Sequence, residues 1–568
     1  MIAPSKSWLI LTLVNLFSMA LAACTPQIVE VEVTREVEVE VEVVSEIEVP
    51  VEVEVTREVE VEVMAEAEFV ELFVGSNLDR YRLSGDGAGV GVSRVVQTNI
   101  GEPLLRIDPE TYTIKPWLAE SWETLDPLTW RINLRQGVLC HDGGEFTAED
   151  AKWSIDKSLR WFPPFPGEVA VLDDYTLEIT LARPFWYVAE SLSHGNATVM
   201  YCPPSPDAST EDFPGTAPVA TGPFMLDEYL QGESIRVVRF DDYWGGPAKA
   251  DAITFRFIPD EAARILALQA GDIDILQELS RSGVPKVSAM SDVNLYVSNM
   301  VTIWSLYFAT RNQVAPYDTL YNVQIRKAIN YAIDRETIAN VVLDGYAQPA
   351  VSLTPPLVNP DINANIVGYT YDPDRAVELL AAAGWTDSDG DGIVDKGGEP
   401  LSLTLVSGFP PADLARPIPE VIQSQLGDVG ISLELVEFND IGAYYDYITD
   451  GGETHMIIER GNFNTPDTTF YNFNVFCGCN ADEEAILYER FWVNDEFDKA
   501  LTDSQGSESN FEATAFAIDM NRLQVDEFTS VAPIVYLPNL MAAAANVSGI
   551  TIHPSAPSQR WEDVTVSR

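Results

Sequence analysis

Residues 220–276 constrain the fold more strongly than any other stretch, because they read as a continuous series of secondary-structure elements. The breaker pair Gly222-Pro223 comes first. Phe224 and Leu226 then follow at the two-residue spacing of a half-buried strand. The turn sequence Gln231-Gly232-Glu233-Ser234 separates this strand from the next apolar segment, so a β-hairpin is expected here.

The second half of this stretch predicts another strand and then a helix. Apolar residues over 235–240 form the returning strand, and residues 253–257 alternate apolar and polar side chains. Pro259-Asp260-Glu261 opens the helix, since proline and acidic side chains suit the first helical turn. Gly271 ends it, and a further strand begins at Ile273.

Four segments carry a resemblance to a known family, and they occur in that family's order. The stretch just described contains DYWGG and DEAARILALQAGDIDI, and the other three segments lie at residues 118–159, 322–350 and 371–385. Together they resemble the extracellular solute-binding proteins of family 5. Members of that family are the peptide, nickel, opine and oligosaccharide receptors of ABC importers. The resemblance covers residues 69–568.

The resemblance implies an α/β fold with two lobes, of the type II periplasmic-binding-protein kind, with an extra subdomain in the first lobe. The first lobe is expected to be discontinuous and to consist of residues 69–105, 191–305 and 530–568. Residues 106–190 are expected to form the inserted subdomain, and residues 306–529 the second lobe.

Residues 1–23 have the pattern of a lipoprotein signal peptide. Lys6 supplies positive charge, and the apolar run that follows is shorter than a typical membrane span. Leu21-Ala22-Ala23-Cys24 resembles a bacterial lipobox, in which Cys24 would be lipidated and become the new N-terminus. The alternative is an ordinary signal peptide that contains a cysteine.

Residues 24–68 are dominated by alternating valine and glutamate. VEVTREVEVEV occurs twice, with Thr34 and Thr56 in equivalent places. Alternation at period two is a strand pattern, but repulsion between glutamates opposes compaction and Pro50 interrupts the run. We interpret this segment as an extended acidic spacer between the lipid anchor and the receptor. Association of copies through their valine faces is the alternative.

Charge and motif content exclude some functions. The net charge is −54, with 88 acidic and 34 basic side chains, so the chain repels nucleic-acid phosphates. No Gly-x-Ser-x-Gly or His-Glu-x-x-His motif is present, and there are four histidines. His141-Asp142-Gly143 invites a catalytic interpretation, but in the family it is a turn motif. We therefore expect no enzymatic activity.

Cys140, Cys202, Cys477 and Cys479 remain after Cys24 is assigned to lipid. Four cysteines in an exported protein allow three disulfide connectivities. We favour a Cys140–Cys202 bridge, because a Cys477–Cys479 bridge would close a very tight ring. A metal site at Cys477 and Cys479 is the less favoured alternative.

Four residues are candidate ligand contacts. Trp304 lies in an aromatic-rich strand that approaches the hinge in family members, where it either contacts solute or belongs to the core. Phe463, Asn464 and Asp467 occupy the place where peptide-binding relatives carry Trp-x-x-Asp-Tyr-x-Asp/Glu-Pro. Asn464 stands where the aspartate pairs with a peptide amine, and an amide cannot neutralise an ammonium group. This difference favours a hydroxyl-rich solute, or a peptide held by its backbone.

Asp387, Asp389, Asp391 and Asp395 resemble part of an EF-hand calcium loop, with Gly392 at the sixth position. Position twelve is Gly398 where an EF-hand has glutamate, and a strand follows instead of a helix. The turn is therefore either a structural calcium site or an empty hairpin, and no cofactor is required.

By resemblance, the protein is expected to be the receptor of an ABC importer. It would capture a peptide- or oligosaccharide-like solute between its lobes and deliver it to the permease and its ATPase subunits. We expect a monomer, exported and anchored by lipid on the outer face of the cytoplasmic membrane or in the periplasm. A surface-anchored sensory receptor without transport is the alternative.

Overall fold

The hairpin, third strand and helix predicted within residues 220–276 are present in the structure, a computed structural model. The Asp260 side chain accepts a hydrogen bond from the backbone N–H of Ala263, and so caps the helix as its position predicts. Gly271 ends the helix in the left-handed conformation, with φ of 76°.

The structure describes residues 69–76, 98–161, 167–193, 198–203, 218–310, 318–408, 416–438, 440–449, 452–463, 466, 495–555 and 558–568. Phe69–Arg568 form one compact unit. Among the described residues, no helix combines the length and the apolar character needed to cross a membrane.

Most strands are short, and two are much longer than the rest. In chain order they are β1 Glu71–Ser76, β2 Glu102–Pro103, β3 Leu105–Ile107, β4 Ile114–Pro116, β5 Ala119–Asp126, β6 Thr129–Leu134, β7 Gly167–Asp173, β8 Thr176–Leu181, β9 Val199–Met200, β10 Phe224–Leu230, β11 Ser234–Arg239, β12 Ala252–Phe257, β13 Ile275–Leu276, β14 Val293–Phe308, β15 Gln348–Pro349, β16 Asp395–Lys396, β17 Glu399–Pro400, β18 Ser402–Ser407, β19 Ser432–Glu437, β20 Met456–Asn462, β21 Val531–Ala544, β22 Val547–Ser548 and β23 Thr565–Val566.

Helices lie between the strands along the chain. They are α1 Ala148–Trp161, α2 Val188–Leu192, α3 Glu261–Ala270, α4 Val284–Ser288, α5 Asp318–Tyr321, α6 Val323–Ala332, α7 Arg335–Thr337, α8 Pro360–Asn365, α9 Pro373–Ala382, α10 Pro417–Asp428, α11 Ile441–Thr449, α12 Asp495–Gln505 and α13 Asn510–Arg522. Single turns of other helix types occur at Arg281–Gly283, Ile338–Val342 and Leu523–Glu527.

One mixed sheet runs through both lobes. Within the described residues it has eleven strands in the order β10-β11-β12-β1-β13-β21-β14-β20-β18-β19, and β15 also pairs with β21. β1 is parallel to β12 and β13, and β18 is parallel to β19 and β20. Each lobe therefore contributes a set of parallel strands, and β14 and β21 connect the two sets.

The register of the antiparallel pair β14·β21 is irregular on both sides of Met300, which pairs with Pro538, and again between Trp304 and Ser305. In the C-terminal part of β14, side chains point to both faces of the sheet. Trp304, Leu306 and Phe308 enter one buried cluster of the second lobe, and Ile303 and Tyr307 enter the other. The second lobe thus packs on both faces of the sheet.

A separate four-stranded sheet, β5-β6-β8-β7, supports the region expected to be the inserted subdomain. Its buried face packs against α1 and α2 in a cluster that includes Ile132, Ile155, Leu177 and Leu192. The sequence predicts a capping box at the start of α1, with Thr147 at the cap and Asp150 three residues later in place of the usual glutamate. The structure agrees, since the Asp150 carboxylate accepts from both the backbone N–H and the hydroxyl of Thr147 at 2.8 Å. The lobe boundaries given above stay predictions.

Two sequence-based expectations about helices need correction. The sequence predicts a helix over residues 95–105, but helix is described only at residues 98–100, and strands β2 and β3 follow. Strand pairing accounts for this difference, because β2 pairs with β9 and β3 pairs with β4.

The helix that apolar periodicity predicts over residues 323–343 is interrupted after α6. Ile333 has extended backbone angles, and the Asp334 side chain then caps α7 by accepting from Thr337 N at 3.0 Å. Arg326 and Asp334 match a pattern of the family, and the resemblance implies structural roles for both. Arg326 has such a role, because it donates to four backbone carbonyls. Hydrogen bonds from the side chain of Arg326 and to the side chain of Asp334 stabilise the break between α6 and α7, although the apolar periodicity continues through it.

Candidate functional site: a polar cavity at the first lobe

A small cavity of about 30 Å³ lies beside the β3–β4 hairpin and the C-terminal segment. It combines guanidinium, imidazole, indole and hydroxyl groups, and its lining residues are Thr98, Pro103, Arg106, Ile107, Trp117, Ser193, His553, Ser558 and Arg560. Sites that enclose a whole small molecule usually measure about 300–1,000 Å³, so this cavity has room for one chemical group of a solute rather than for the whole solute.

The C-terminal segment reaches the cavity because Asn99 holds it. The Asn99 amide donates to the carbonyl of Gln559 at 2.9 Å and accepts from the backbone N–H of Trp561 at 3.0 Å. The Trp561 side chain is completely buried in the first-lobe core. These contacts fix Arg560, which lies between the two anchored residues, at the cavity wall.

Glu102 organises the polar groups behind this wall, and its side chain is completely buried. Its carboxylate accepts hydrogen bonds from Trp117, Tyr243, Trp244, Thr221 and Arg560 at 2.7 to 3.2 Å. A buried carboxylate is tolerated only when it is paired and fully hydrogen-bonded. Glu102 meets both conditions.

Arg560 is equally well satisfied. It donates to Glu102 at 3.2 Å, to Glu562 at 3.1 Å and to the carbonyl of Thr98 at 2.7 Å. Burial alone would lower the pKa of Arg560, but Glu562, Tyr243 and Glu102 raise it above its ordinary value. Burial likewise opposes ionisation of Glu562, yet Arg560 brings the pKa of that carboxyl below its usual range. Both groups are therefore charged.

Arg106 faces the cavity from β3 and lies over the ring of Trp117, 4.6 Å from its centroid. Arg560 is 5.5 Å from the centroid of the same ring. Burial, and then the nearby Arg560, lower the pKa of Arg106. The guanidinium remains charged at neutral pH, because the pKa of arginine starts far above 7.

His553 is buried at the cavity and its Nδ1 lies 3.0 Å from the backbone N–H of Ser555. Burial is the main reason that the pKa of His553 falls to about 4, and Arg106 lowers it further while Asp108 partly offsets the shift. The imidazole is therefore neutral at pH 7, and the cations of the cavity are the two arginines.

A pH dependence of stability follows from His553. Between about pH 6.5 and about 4 the unfolded chain binds a proton that the folded chain does not, so stability falls as the pH falls through this window. The expected loss is about 3 kcal/mol, completed near the folded pKa. Urea titrations at several pH values should show that the free energy of unfolding of the wild type decreases as the pH falls through this window. The decrease should be smaller in His553→Gln. Equal decreases would contradict the prediction.

Tyr112 links the β3–β4 hairpin to the end of β20. Its side chain is 2% exposed and its ring centroid is 6.4 Å from that of His553. The phenol donates to the backbone carbonyl of Phe463. Tyr112 also has φ of 57°, a left-handed conformation that non-glycine residues adopt infrequently. The hairpin turn therefore directs this side chain from the predicted subdomain to the predicted second lobe.

Tyr112→Phe should destabilise the protein by about 1–2 kcal/mol, because the carbonyl of Phe463 loses its buried donor. Solute affinity should also decrease, since the bond joins parts of the chain on either side of the predicted cleft. The control is Tyr175→Phe, whose phenol makes a solvent-accessible bond to Glu145 at 2.6 Å. Thermal unfolding and solute titration compare the two variants. Equal effects would show that the Tyr112–Phe463 bond is unimportant.

The structure places only part of the predicted ligand-contact set. Trp304 is completely buried in a core cluster of the second lobe, where it pairs with Arg460 and Val535 across the sheet. Phe463 is 2% exposed and is bonded to Tyr112. Asn464 and Asp467 lie outside the described residues, as does Cys24. Contact of these residues with solute stays a prediction.

His141 has the structural role that its turn motif indicates. Its Nε2 lies 2.9 Å from the carbonyl oxygen of Gly222, and its ring meets Phe240 edge-on at 5.1 Å. Burial lowers the pKa of His141, so the imidazole is neutral at pH 7. The favoured bridge between Cys140 and Cys202 is confirmed, with an S–S distance of 2.01 Å.

The structure brings three of the four predicted calcium ligands together. Carboxylate oxygens of Asp387, Asp389 and Asp391 lie within 4.8 Å of one another, and all three residues are exposed. Asp395 is outside this group. Its carboxylate accepts from the backbone N–H of Ser388 at 2.9 Å and from the hydroxyl of the same residue at 2.6 Å, which fastens the turn that precedes the β16–β17 hairpin.

The two alternatives for this turn predict different responses to calcium. If it is a structural site, millimolar CaCl₂ should raise the thermal midpoint by mass action, and Asp389→Asn should abolish the rise. If it is an empty hairpin, wild type and variant should respond equally. MgCl₂ at the same ionic strength is the control, because Mg²⁺ favours a smaller octahedral shell that retains water.

Two lobes joined by long shared strands form an α/β fold that carries a small polar cavity at the first lobe. Residues 113–483 match the family model of the bacterial extracellular solute-binding proteins, family 5 (middle region). This match spans more than half of the chain, so the protein belongs to that family, and it is an extracytoplasmic solute receptor of an ABC importer.

Individual relatives agree with this assignment. The chain is 26% identical to the dipeptide-binding protein of Escherichia coli K12 over 448 residues, which cover 74% of this chain and 78% of the relative. It is 30% identical to the glutathione-binding protein GsiB of Salmonella paratyphi A over 382 residues, or 65% and 69% of the two chains. The structure of NikA from Brucella suis in complex with Fe(III)-EDTA aligns with a TM-score of 0.77 and 25% identity, over 88% of this chain and all of that one.

Sequence reasoning missed the cavity residues. Trp117 directly precedes a segment that carries the family resemblance, but nothing local marks it as a cavity residue. Glu102 and Arg560 are 458 positions apart. No local pattern marks these two residues as partners, because Arg560 also has an acidic neighbour, Glu562, two positions away. Burial is known only after folding.

Proposed function

We propose that this receptor captures a peptide-like solute in the space between its lobes and hands it to a membrane permease driven by its ATPase subunits. The observation that supports this proposal is the match of residues 113–483 to the family of extracellular solute-binding proteins. The small polar cavity adds a charged group, because the guanidinium of Arg106 lies there over the ring of Trp117. The names of two relatives, a dipeptide-binding and a glutathione-binding protein, point the same way.

Capture requires movement of the lobes about β14 and β21. These strands are continuous from one lobe to the other, and their register is irregular only in places, including Met300–Pro538. Hinges are formed by a few residues that absorb a change in backbone angles. Solute favours the closed form only to the extent that its affinity for the closed form exceeds its affinity for the open form. No covalent step is needed, and we propose no enzymatic activity.

The segment before the receptor fits the same function. We propose that Cys24 carries lipid and that residues 24–68 are a spacer, so that a monomeric receptor stays near its permease. Two or three acyl chains hold a soluble protein at a membrane, since each buried CH₂ contributes about 0.8 kcal/mol. Mass spectrometry of the N-terminal peptide tests this, and an unmodified Cys24 in protein from the native membrane would reject it.

Binding and uptake together test the proposed function. Full-length protein should be screened by thermal shift against dipeptides, tripeptides, glutathione, nickel–histidine and malto-oligosaccharides, and uptake should then be measured in cells with and without the gene. A peptide-like solute should raise the midpoint, and its uptake should require the gene. Binding with unchanged uptake would support the sensory alternative, and no binding from the whole panel would count against a solute receptor.

A further inference from the structure

Arg106 is a cation at the cavity to which the described part of the protein offers no hydrogen-bond acceptor. Its closest carboxylate oxygen is Oε1 of Glu562, at 3.8 Å from Nη1, which exceeds the range of a hydrogen bond. Its side chain keeps 31% of its exposure. Arginine carries five N–H donors in a fixed fork, so several of these donors can reach a bound molecule.

The nearby anions are already used by other groups. Glu102 accepts from five side chains, and Arg560 donates through Nε to both oxygens of Glu562, at 3.2 and 3.1 Å. The positive charge of Arg560 is therefore offset by two carboxylates. Arg106 lies 3.8 Å from one oxygen of Glu562 and makes no hydrogen bond to it. The N–H donors of Arg106 can therefore bind another anion.

Trp117 supports the guanidinium of Arg106 with a ring that is itself held in place. The indole N–H donates to Glu102 at 2.7 Å, and Trp244 meets the ring edge-on at 4.9 Å, so the ring cannot rotate freely. The Arg106 guanidinium lies 4.6 Å above this fixed ring. A guanidinium stacked in this way keeps its N–H groups in its own plane, where they can bind a carboxylate in bidentate fashion.

We propose that Arg106 is an anion-binding residue of the cavity, positioned by Trp117, and that the solute presents a carboxylate to it. This inference rests on the proposed function and names the chemical group that the receptor recognises. The carboxylate belongs to the C-terminus of a short peptide or to a small organic acid. A local cation is needed, because a net charge of −54 repels any anionic solute from the protein as a whole.

Matched pairs of acid and amide test this proposal on the full-length protein. The probes are trialanine and trialaninamide, glutathione and its glycine amide, and succinate and succinamide, each titrated by calorimetry. In the wild type, at least one acid should bind about tenfold or more tightly than its amide. Peptides that bind while succinate does not would identify the peptide C-terminus as the source of the carboxylate.

Three variants assign the effect to residues. Arg106→Ala should bring the acid-to-amide ratio close to one, and Arg106→Lys should keep part of it, since lysine retains charge but loses the fork. Trp117→Phe should reduce the ratio less than Arg106→Ala. Arg375→Ala is the matched control, because Arg375 is half exposed on α9 and pairs with Glu378. Thermal midpoints verify that each variant folds. If Arg106→Ala does not fold, the acid-to-amide affinity ratios of the wild type and of Arg106→Lys still test whether Arg106 recognises the carboxylate.

Each outcome is decisive. Equal affinity for acid and amide in the wild type would overturn the proposal while leaving a solute receptor intact. An acid preference unchanged in the Arg106 variants would overturn the assignment to this residue. Failure of every probe to bind counts against the proposal. If the wider solute panel also fails, the proposed function fails with it.

Discussion

Glu102→Ala should destabilise the protein by about 3–5 kcal/mol, because breaking a buried ion pair leaves a charge without its partner. The change removes a completely buried carboxylate and leaves Arg560 with one ionic partner in place of two. It also leaves the indole N–H groups of Trp117 and Trp244 and the hydroxyl of Tyr243 without their acceptor. Urea unfolding followed by tryptophan fluorescence measures the loss.

The control for this prediction is Glu120→Ala. Glu120 is exposed and has only a 3.7 Å ion pair with Arg135, so its removal should change stability by less than about 0.5 kcal/mol. A loss below about 1 kcal/mol for Glu102→Ala would show that the buried network is not held together by this carboxylate.

Removing the Cys140–Cys202 bridge should cost about 4 kcal/mol, because the bridge closes a long loop in the unfolded chain. The two cysteines are 62 positions apart, and both are buried in the cluster that packs against the β5-β6-β8-β7 sheet. The bridge also holds together the turn at His141 and the chain near Ala220, which share a backbone hydrogen bond of 2.8 Å.

The double variant Cys140→Ser/Cys202→Ser measures this effect without leaving a free thiol. Its thermal midpoint should fall by several degrees, and a reductant should bring about a similar fall in the wild type. A midpoint within about one degree of the wild type would mean that packing alone fixes this region.

Elements whose signals are local could be predicted from the sequence. β12 lies at Ala252–Phe257, where alternation over residues 253–257 predicts a strand, and α3 begins and ends at its predicted cap residues. Expectations failed where a tertiary contact decided the local conformation. β2 and β3 replace part of an expected helix because they pair with β9 and β4, and α6 ends early because Asp334 caps the next turn.

The candidate site could be predicted much less well than the fold. Aromatic residues such as Trp304 suit a cleft, but the same property suits a core, and the structure places Trp304 in one. The cavity depends on residues from both ends of the chain, such as Glu102 and Arg560, which only the completed sheet brings together. A sequence shows which residue types could contact a solute. It does not show which of them are buried or which lie close together in the folded chain.

Native mass spectrometry of the full-length protein, purified without denaturation, tests the central claim most directly. Solute receptors with slow dissociation can retain their ligand through purification, since affinity is expressed mainly in the dissociation rate. We expect an added mass that is released on denaturation, fragments to amino acids and carries a carboxylate, and that is reduced in Arg106→Ala. An added mass that fragments to neutral hexoses would contradict both the peptide-like solute and the role of Arg106. No added mass, together with no response to the solute panel, would contradict the solute-receptor account itself.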